Sequence, residues 1–282
     1  AAFVASGLNF PDGLAAAPAA AALGGPLLLV PPTGAIPASV QAELIRLHPT
    51  TIYIVGGTSS VSAATATALK TYATTQVRLA GSDRYQTAAK VATTIFQTVL
   101  HETSLPVVYV ASGANFPDAL SAGPTASFFH GTLLLAPSTG TLPASVKTAL
   151  AALKPARIVV VGGTASISDG IKNQLHAAYP SAAVSRVSGP DRYGTAQALA
   201  ATMGSHVSAA YIALGTNFPD AMAGSAAAGF TGGAIVLVAP GSLPAASITA
   251  LTGLAPEDMF VLGGPSGISN TLVNALSPYI AP

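Results

Sequence analysis

The sequence predicts an α/β protein made of three small modules in tandem, each a parallel β-sheet covered by helices on both faces. Three observations lead to this prediction. The same motifs recur about every 100 residues. Within one repeat, short apolar runs alternate with segments of helical periodicity. Apolar residues make up 50% of the chain, yet no apolar run approaches the ~20 residues that span a bilayer, so these side chains are expected in protein cores.

The repeat is clearest in the tetrapeptide Asn-Phe-Pro-Asp, which begins at Asn9, Asn115 and Asn217. A Gly-Gly pair follows each copy, in the same order along the chain. A third motif, R-x-x-G-x-D-R-Y-x-T-A, occurs at 78–88 and again at 186–196. A period near 100 residues is typical of tandem domains and too long for a solenoid unit. We therefore predict three modules, over residues 1–77, 78–185 and 186–282.

Four apolar runs in the second module predict four strands, at residues 107–112, 132–137, 157–163 and 184–189. The first three runs are apolar at successive positions, which indicates burial on both faces of the sheet. A segment with helical periodicity follows each run. Strands that alternate with helices in this way are expected to run parallel, with the helices as crossovers.

Caps and periodicity predict the helices between these runs. Pro117 suits the first turn of the helix after the first strand. Val146, Leu150 and Leu153 share one face of the next helix, and Ser168 suits the N-cap of the third. A further helix follows each Asp-Arg-Tyr sequence. In the first copy its apolar stripe consists of Ala88, Val91, Ala92, Ile95, Phe96 and Val99.

Charge is scarce in this chain. Charged residues make up 7% of the sequence, compared with about 25% in a typical globular protein. A net charge of +1 argues against a broad polyanion-binding face, although it leaves room for a local basic site. The absence of cysteine excludes disulfides and thiolate metal sites. A cysteine-free, lysine-poor chain rich in Ser and Thr suits an extracellular bacterial protein.

The Asn-Phe-Pro-Asp motif lies where a strand ends and a helix begins, at the carboxyl edge of the predicted sheet. Its aspartates could mark three equivalent ligand sites, because ligands collect at that edge in open α/β folds. The favoured interpretation is a structural framework. Asn ends the strand, Phe packs under the turn, Pro starts the helix and Asp stabilises the helix N-terminus. The framework residues are Asn9, Asp12, Asn115, Asp118, Asn217 and Asp220.

The glycine pairs follow the third strand of each module. Glycines at such a turn could admit a phosphate, but no G-x-G-x-x-G pattern and no P-loop lysine accompany them. Tight strand-to-helix turning is the favoured role. The pairs are Gly56 and Gly57, Gly162 and Gly163, and Gly263 and Gly264.

The two Asp-Arg-Tyr motifs hold four of the six arginines: Arg78, Arg84, Arg186 and Arg192. One interpretation is an internal Arg–Asp bridge, with Asp83 and Asp191 at the N-cap of the following helix. The other is that one arginine per module faces outward and binds an anion through two parallel N–H donors. The two roles are compatible. No comparable signal indicates catalysis or metal binding, since the five histidines share no repeat position and no nucleophile elbow occurs.

The ordered motifs resemble the cell-wall-binding repeat 2 family over essentially the whole chain. The resemblance rests on R-x-x-G-x-D-R-Y-x-T-A, x-x-G-x-N-F-P-D-A-L, L-L-L-x-P and V-x-G-G-x-x-x-I-S. It implies toprim-like modules packed as a pseudo-threefold trimer. It also implies noncovalent attachment to an anionic, teichoic-acid-like polymer of a Gram-positive cell wall, anchoring an adjoining effector. The binding sites would lie at module junctions near Arg78, Arg84, Arg186 and Arg192. No cofactor, nucleic acid or membrane span is expected.

The first module departs from the family pattern because it lacks the opening strand and helix of the Asp-Arg-Tyr motif. Without them a sheet edge and an apolar face would be exposed. We expect an upstream segment, or another chain's element, to complete the module. An alternative function is a structural subunit of a surface layer or fibre, which the neutral surface and self-association would suit. An enzyme acting at the carboxyl edge of the sheet ranks last.

Overall fold

A computed structural model describes residues 1–281 and confirms an α/β fold with three separate parallel sheets. The first sheet has the strand order β2-β1-β3-β4, and every pair is parallel. The central strands carry large apolar side chains on both faces, which explains the continuous apolar runs in the sequence. Its elements are β1 Ala2–Ser6, α1 Phe10–Ala22, β2 Leu27–Val30, α2 Ala38–Leu47, β3 Thr51–Val55, α3 Ala63–Leu69 and β4 Thr75–Leu79.

The second sheet repeats this order with its own four strands. Pro117 begins its first helix, and the hydroxyl of Ser168 accepts a hydrogen bond from the Ile171 amide (3.3 Å), as predicted for an N-cap. The order of strands is β6-β5-β7-β8. The elements are β5 Val107–Ser112, α5 Pro117–Phe128, β6 Thr132–Ala136, α6 Ala144–Leu153, β7 Arg157–Val161, α7 Asp169–Ala178 and β8 Ala183–Val187.

The third sheet has three strands in the described residues, in the order β10-β9-β11. They correspond to the first three strands of the other sheets. Its elements are β9 Ala209–Leu214, α9 Pro219–Thr231, β10 Ala234–Val238, α10 Ala245–Leu254, β11 Asp258–Val261 and α11 Asn270–Asn274.

The two Asp-Arg-Tyr segments each connect one sheet to the next. Strand β4 completes the first sheet, and the helix that follows, α4 (Arg84–Ala92), packs on β6 of the second sheet. Strand β8 completes the second sheet, and α8 (Arg192–Met203) packs on β10 of the third. The predicted module limits after residues 77 and 185 therefore fall inside strands β4 and β8. The first sheet has four strands because β4 supplies its fourth.

The helix after β4 differs from the predicted regular stripe. It continues beyond Ala92 as a π-helical turn, Thr93–Val99, in which the Leu100 amide donates to the Ile95 carbonyl (2.9 Å). The wider turn keeps Ile95 and Phe96 buried but rotates Val99 outward, where it is 37% exposed.

Three helices join the modules at the centre of the molecule. α1, α5 and α9, each of which begins at an Asn-Phe-Pro-Asp motif, contact one another pairwise. They are rich in Ala and Gly, so their backbones approach closely. One apolar cluster extends over the first two sheets and into the third. No helix within residues 1–281 combines the length and the apolar character that crossing a bilayer requires.

Candidate functional site

The three Asn-Phe-Pro-Asp corners meet at the middle of the molecule. Each proline lies in the first turn of its helix, as the sequence predicts. The phenylalanine rings of the three motifs form a cluster with centroid separations of 5.5 to 6.0 Å. Each ring therefore packs against the other two. The members are Phe10, Phe116 and Phe218.

Each motif aspartate lies against the first glycine of the glycine pair in the same module. Asp12 accepts a hydrogen bond from the Ser60 hydroxyl (2.7 Å), and Asp118 accepts one from Ser166 (2.6 Å). A Cβ at Gly56 would clash with the Asp12 carboxylate, and Gly56 has φ +103°. Burial raises the pKa of the Asp12 carboxyl, while the Ser60 hydroxyl and the Arg84 charge oppose that rise. The first glycines are thus required by both space and backbone conformation.

The second glycine of each pair has a different environment. A Cβ at Gly163 or Gly264 would meet nothing within 4 Å. Gly57 and Gly163 line two clefts described below. The strand-to-helix turn therefore needs the first glycine. The second glycine places no side chain at the edge of the cleft.

The aspartates of the Asp-Arg-Tyr segments cap helices. Asp83 accepts from the Gln86 amide (2.7 Å), and Asp191 accepts from the Gly194 amide (2.8 Å). These bonds confirm the predicted N-cap positions. The predicted Arg–Asp bridge within each motif is wrong. The four arginines of these motifs donate to backbone carbonyls instead.

The first arginine of each segment holds the glycine turn of the sheet that its own strand completes. Arg78 donates to the carbonyls of Gly56 (2.7 Å) and Val61 (2.9 Å). Arg186 repeats this with Gly162 (2.6 Å) and Ile167 (2.8 Å), and it also bonds Asp169. The fork geometry of guanidinium suits two carbonyls at once.

The second arginine of each segment reaches the next module. Arg84 donates to the Gly113 carbonyl and Arg192 to the Gly215 carbonyl, both at 2.5 Å. These glycines lie two residues before the Asn of the next Asn-Phe-Pro-Asp motif. The Arg84 guanidinium also lies 5.9 Å from the centroid of the Phe10 ring. Each second arginine thus connects two modules at the central corners.

These motifs enclose two equivalent clefts at the carboxyl edges of the sheets. The volumes are about 150 Å³ and 210 Å³. Each cleft combines an Asn-Phe-Pro-Asp corner, a glycine turn and an Asp-Arg-Tyr segment. The first is lined by Asn9, Pro11, Asp12, Gly57, Ser59, Ser60, Gly81, Ser82, Asp83, Arg84 and Thr87. The second is lined by Asn115, Pro117, Asp118, Gly163, Ala165, Ser166, Gly189, Pro190, Asp191, Arg192 and Thr195.

The third corner has the same local parts but a more open environment. Asp220, Gly263 and Gly264 are exposed, and the residue in the place of Ser60 and Ser166 is Gly267. No Asp-Arg-Tyr segment covers this corner in the described part of the chain. The structure therefore brings together the predicted residues of the first two modules in clefts, while the third set lies open.

Sequence reasoning missed the roles of three sets of residues at these sites. Ser60 and Ser166 recur four residues after the first glycine of each pair, and that spacing could have revealed them. Gly7, Gly113 and Gly215 recur two residues before each Asn. The clustering of the three phenylalanines had no such signal, because contact between distant repeats leaves no local pattern. A larger cavity, about 930 Å³, lies among other residues, including Pro18, Phe96 and His130, and contains none of the repeated motifs.

Two curated proteins of Bacillus subtilis (strain 168) are similar to this chain. It is 27% identical over 275 residues to N-acetylmuramoyl-L-alanine amidase LytC, covering 98% of this chain and 52% of that protein. It is 25% identical over 268 residues to an amidase enhancer, covering 95% of this chain and 35% of the relative. The chain thus spans about half the length, or less, of these relatives.

Two solved structures from Clostridium difficile share the fold. Cwp8 matches with a TM-score of 0.85 and 23% identity, over 99% of this chain and 47% of the other. Cwp6 matches with a TM-score of 0.86 and 24% identity, over 100% of this chain and 44% of the other.

The sequence model of one family, Cell wall binding domain 2 (CWB2), matches all three repeats, at residues 1–66, 78–172 and 186–273. These segments hold the glycine turns, the Asn-Phe-Pro-Asp corners and both Asp-Arg-Tyr motifs that build the clefts. The match covers most of the chain, so the chain belongs to the CWB2 family and is a cell-wall-binding region located at the bacterial cell wall or surface.

Proposed function

We propose that this chain anchors a surface or secreted protein by noncovalent binding to an anionic, teichoic-acid-like glycopolymer of a Gram-positive cell wall. The observation that carries the proposal is the duplicated cleft. The same motifs build two polar clefts at equivalent edges, each with one arginine beside hydroxyl and amide groups. A repeated site suits a repeating polymer.

Arg84 and Arg192 are the residues proposed to contact the polymer. The bond that each makes to a carbonyl uses one of the five N–H donors of a guanidinium. Guanidinium binds phosphate and carboxylate groups well because its donors match their geometry. The hydroxyls of Ser59 and Ser82 and the amide of Asn9 are suited to sugar or polyol hydroxyls in the first cleft.

Arg78 and Arg186 are proposed to support the site. Their guanidinium groups lie against backbone carbonyls of the glycine turns, which form one wall of each cleft. They contribute positive charge and fix that wall, while the direct polymer contact is assigned to the second arginine of each segment.

The carboxylates in each cleft limit the expected affinity. Asp12 and Asp83 line the first cleft with Arg84, so the local charge is not strongly positive. We expect a single cleft to bind weakly and with a moderate salt dependence. Two clefts on one chain can bind two positions of the same polymer, which raises the overall affinity without any stronger contact.

We also propose that this region binds rather than catalyses and needs no cofactor. The chain covers about half of the amidase relative, and we assign the activity in that protein's name to the half that is not matched. The alternative, a subunit of a surface layer or fibre, is favoured by one observation, the exposed edge strand β11. Sedimentation velocity of the isolated chain tests that alternative, since assembly would give ordered oligomers without polymer.

Co-sedimentation with purified Gram-positive cell walls tests the proposal. We expect saturable binding that is lost after acid extraction removes the anionic polymers. Arg84→Gln and Arg192→Gln should each weaken binding about 3- to 10-fold, and the double variant should weaken it further, because each site loses a charge-assisted contact. Arg46→Gln is the matched control, since Arg46 is 68% exposed and lies on α2 away from both clefts.

The proposal fails if extracted walls bind as well as intact walls. It also fails if Arg46→Gln weakens binding as much as the double cleft variant, since the effect would then follow net charge alone.

A further inference from the structure

The two clefts are built from the same motifs, but their linings differ at two positions. One position lies two residues after the second glycine of the pair, where the first cleft has Ser59 and the second has Ala165. The other position precedes the N-cap aspartate, where the first cleft has Ser82 and the second has Pro190. All four residues are exposed. The second cleft therefore has a methyl group and a pyrrolidine ring where the first has two hydroxyls.

The exchange of Ser82 for Pro190 is part of a larger change in that wall of the cleft. In the first cleft the Ser82 amide donates to Oε1 of Gln86 (2.5 Å). In the second cleft Pro190 has no amide hydrogen, and Gly194 stands in place of Gln86. A Cβ at Gly194 would lie 2.6 Å from the Pro190 Cδ, so the proline ring occupies space that a longer side chain would need. The two walls are thus two different packed arrangements.

The charged and amide groups of the two clefts match each other. Each lining contains one asparagine, two carboxylates and one guanidinium. The matching pairs are Asn9 and Asn115, Asp12 and Asp118, Asp83 and Asp191, and Arg84 and Arg192. The volumes are about 150 Å³ in the first cleft and 210 Å³ in the second. A difference in ligand preference would therefore arise from the exchanged hydroxyl and apolar groups and from the greater room in the second cleft.

Hydroxyl and apolar linings select different ligand groups. A sugar or polyol hydroxyl placed against Ser59 and Ser82 can form hydrogen bonds with them, whereas a methyl group there would cover both hydroxyls without offering a partner. Against Ala165 and Pro190 a methyl group is favourable, because apolar surface is removed from water. We therefore expect each cleft to discriminate against the ligand group that suits the other.

We propose that the two clefts bind different units of the polymer, the first an unsubstituted sugar or polyol and the second a sugar that carries an acetamido group. This inference rests on the proposed function of the same clefts. In the second cleft the acetamido methyl would lie against Ala165 and Pro190, and its carbonyl would accept a hydrogen bond from Arg192. Its N–H would donate to the carboxylate of Asp118 or Asp191. An ester-linked acyl group suits this cleft less well, since it has no N–H for the carboxylates.

Unlike clefts have a consequence for how a polymer lies on the chain. Two identical clefts would bind a polymer equally well in both directions and after a shift by one unit. Two clefts with different preferences favour the direction and the register that place each kind of unit in its own cleft.

Titration of the isotope-labelled full chain with two methyl glycosides, followed by amide chemical shifts, tests the proposal. The probes are methyl β-N-acetylglucosaminide and methyl β-glucoside, which differ only in the acetamido group or hydroxyl at C2. From the shifts of Gly163, Ala165 and Asp191, we expect the second cleft to bind the acetamido probe about 3- to 10-fold more tightly than the glucoside. From the shifts of Gly57 and Ser59, we expect the first cleft to prefer the glucoside by a similar factor.

The variant Ala165→Ser with Pro190→Ser gives the second cleft the two hydroxyls of the first. It should remove the preference of that cleft for the acetamido probe, and Gly194 leaves room for the new serine. Ser59→Ala is the matched change in the first cleft. It should weaken glucoside binding there about 3-fold and leave the preference of the second cleft as it was. If the double variant folds poorly, Ala165→Ser alone should shift the preference of the second cleft in the same direction.

The proposal is overturned if the second cleft binds the two probes equally or shows no saturable shift with them. It is also overturned if the folded variant with serines at both positions keeps the full preference for the acetamido probe. Wall co-sedimentation decides the anchoring function separately. Polymer-dependent binding to walls together with equal probe affinities would retain the anchor and reject the difference between the clefts.

Discussion

The three aspartates of the Asn-Phe-Pro-Asp motifs occupy the same local position but differ in how far the carboxylate is covered. Asp12 is buried, Asp118 is partly buried and Asp220 is exposed. A serine hydroxyl bonds each of the two covered carboxylates, Asp12 and Asp118. In the third module Gly267 stands in place of that serine, and the Asp220 carboxylate is exposed to water. A buried carboxylate needs a donor to offset its desolvation, whereas an exposed one is solvated.

Ser60→Ala is expected to destabilise the protein by about 1–3 kcal/mol at pH 7, because it leaves the buried Asp12 carboxylate without its hydroxyl donor. Burial raises the pKa of Asp12, so the stability that its protonated form contributes is present at low pH and lost as pH rises through that raised value. Loss of the Ser60 donor raises this pKa further. The deficit of the variant should therefore be larger at pH 7 than near pH 3.5.

Urea denaturation midpoints of the parent protein and of Ser60→Ala, measured at both pH values, give this difference. Effects of pH that the two proteins share cancel in the comparison. Ser59→Ala is the matched control, since Ser59 is exposed and adjacent. A Ser60→Ala deficit that is the same at both pH values would show that the hydroxyl does not act through the ionised carboxylate.

Single positions were predicted well wherever the role is local. Pro117, Ser168, Asp83 and Asp191 have the helix-start positions that their residue types indicate. The partner of Asp12 was not predicted, because Ser60 lies 48 residues away. The recurrence of Ser60 and Ser166 after the glycine pairs marks both positions, but it does not say which side chain each hydroxyl bonds. The same reason hid the carbonyl partners of the four arginines.

At the scale of elements, each Asp-Arg-Tyr segment serves two sheets. Its strand completes one sheet and its helix packs on the next, so the boundary between repeated sequences is not the boundary between sheets. Periodicity predicted both elements in sequence, but it carries no information on which sheet a strand joins. The two arginines of each segment have correspondingly different roles. The first holds the glycine turn of the sheet that β4 or β8 completes, and the second contacts the Asn-Phe-Pro-Asp corner of the next module.

Arg186→Lys is expected to cost about 1–3 kcal/mol in stability, although it keeps the charge. The Arg186 side chain is 14% exposed and donates to the Gly162 and Ile167 carbonyls, which one ammonium group cannot bond in the same fork. Thermal unfolding measures the loss, and Arg46→Lys on the exposed face of α2 is the control. Equal stability of the two variants would mean that β8 is held by its strand pairing alone.

At the scale of the whole molecule, the low charge and the abundance of Ala and Gly have a structural explanation. The helices α1, α5 and α9 are buried among one another and against the sheets, so their surfaces carry small residues and few charges. Composition alone indicated buried strands but not buried helices at a common centre. A Cβ at Gly123 would lie 3.7 to 3.8 Å from Ala17, Pro18 and Ser225, in ordinary contact with both neighbouring helices.

Gly229→Ala tests whether this central packing holds the modules together. In an ordinary helix the change would stabilise the protein by about 0.5–1 kcal/mol, because glycine loses more backbone entropy on folding. At Gly229 the new Cβ would lie 2.7 Å from Ser127 Oγ and 2.9 Å from the Ala21 Cβ. The hydroxyl can rotate away, but the Ser127 Cβ, 2.8 Å from the new methyl, and the Ala21 methyl move only with the α5 and α1 backbones. We therefore expect a net loss of about 1–3 kcal/mol.

Gly253→Ala is the matched control, because Gly253 lies in α10 and a Cβ there would meet nothing within 4 Å. It should raise the thermal midpoint, whereas Gly229→Ala should lower it. The opposite signs follow from packing, since both changes add one methyl group to a helix. If both variants gained stability equally, α9 would have room to move relative to α1 and α5. The modules would then be coupled mainly through the strand–helix segments at the junctions and not through the central helices.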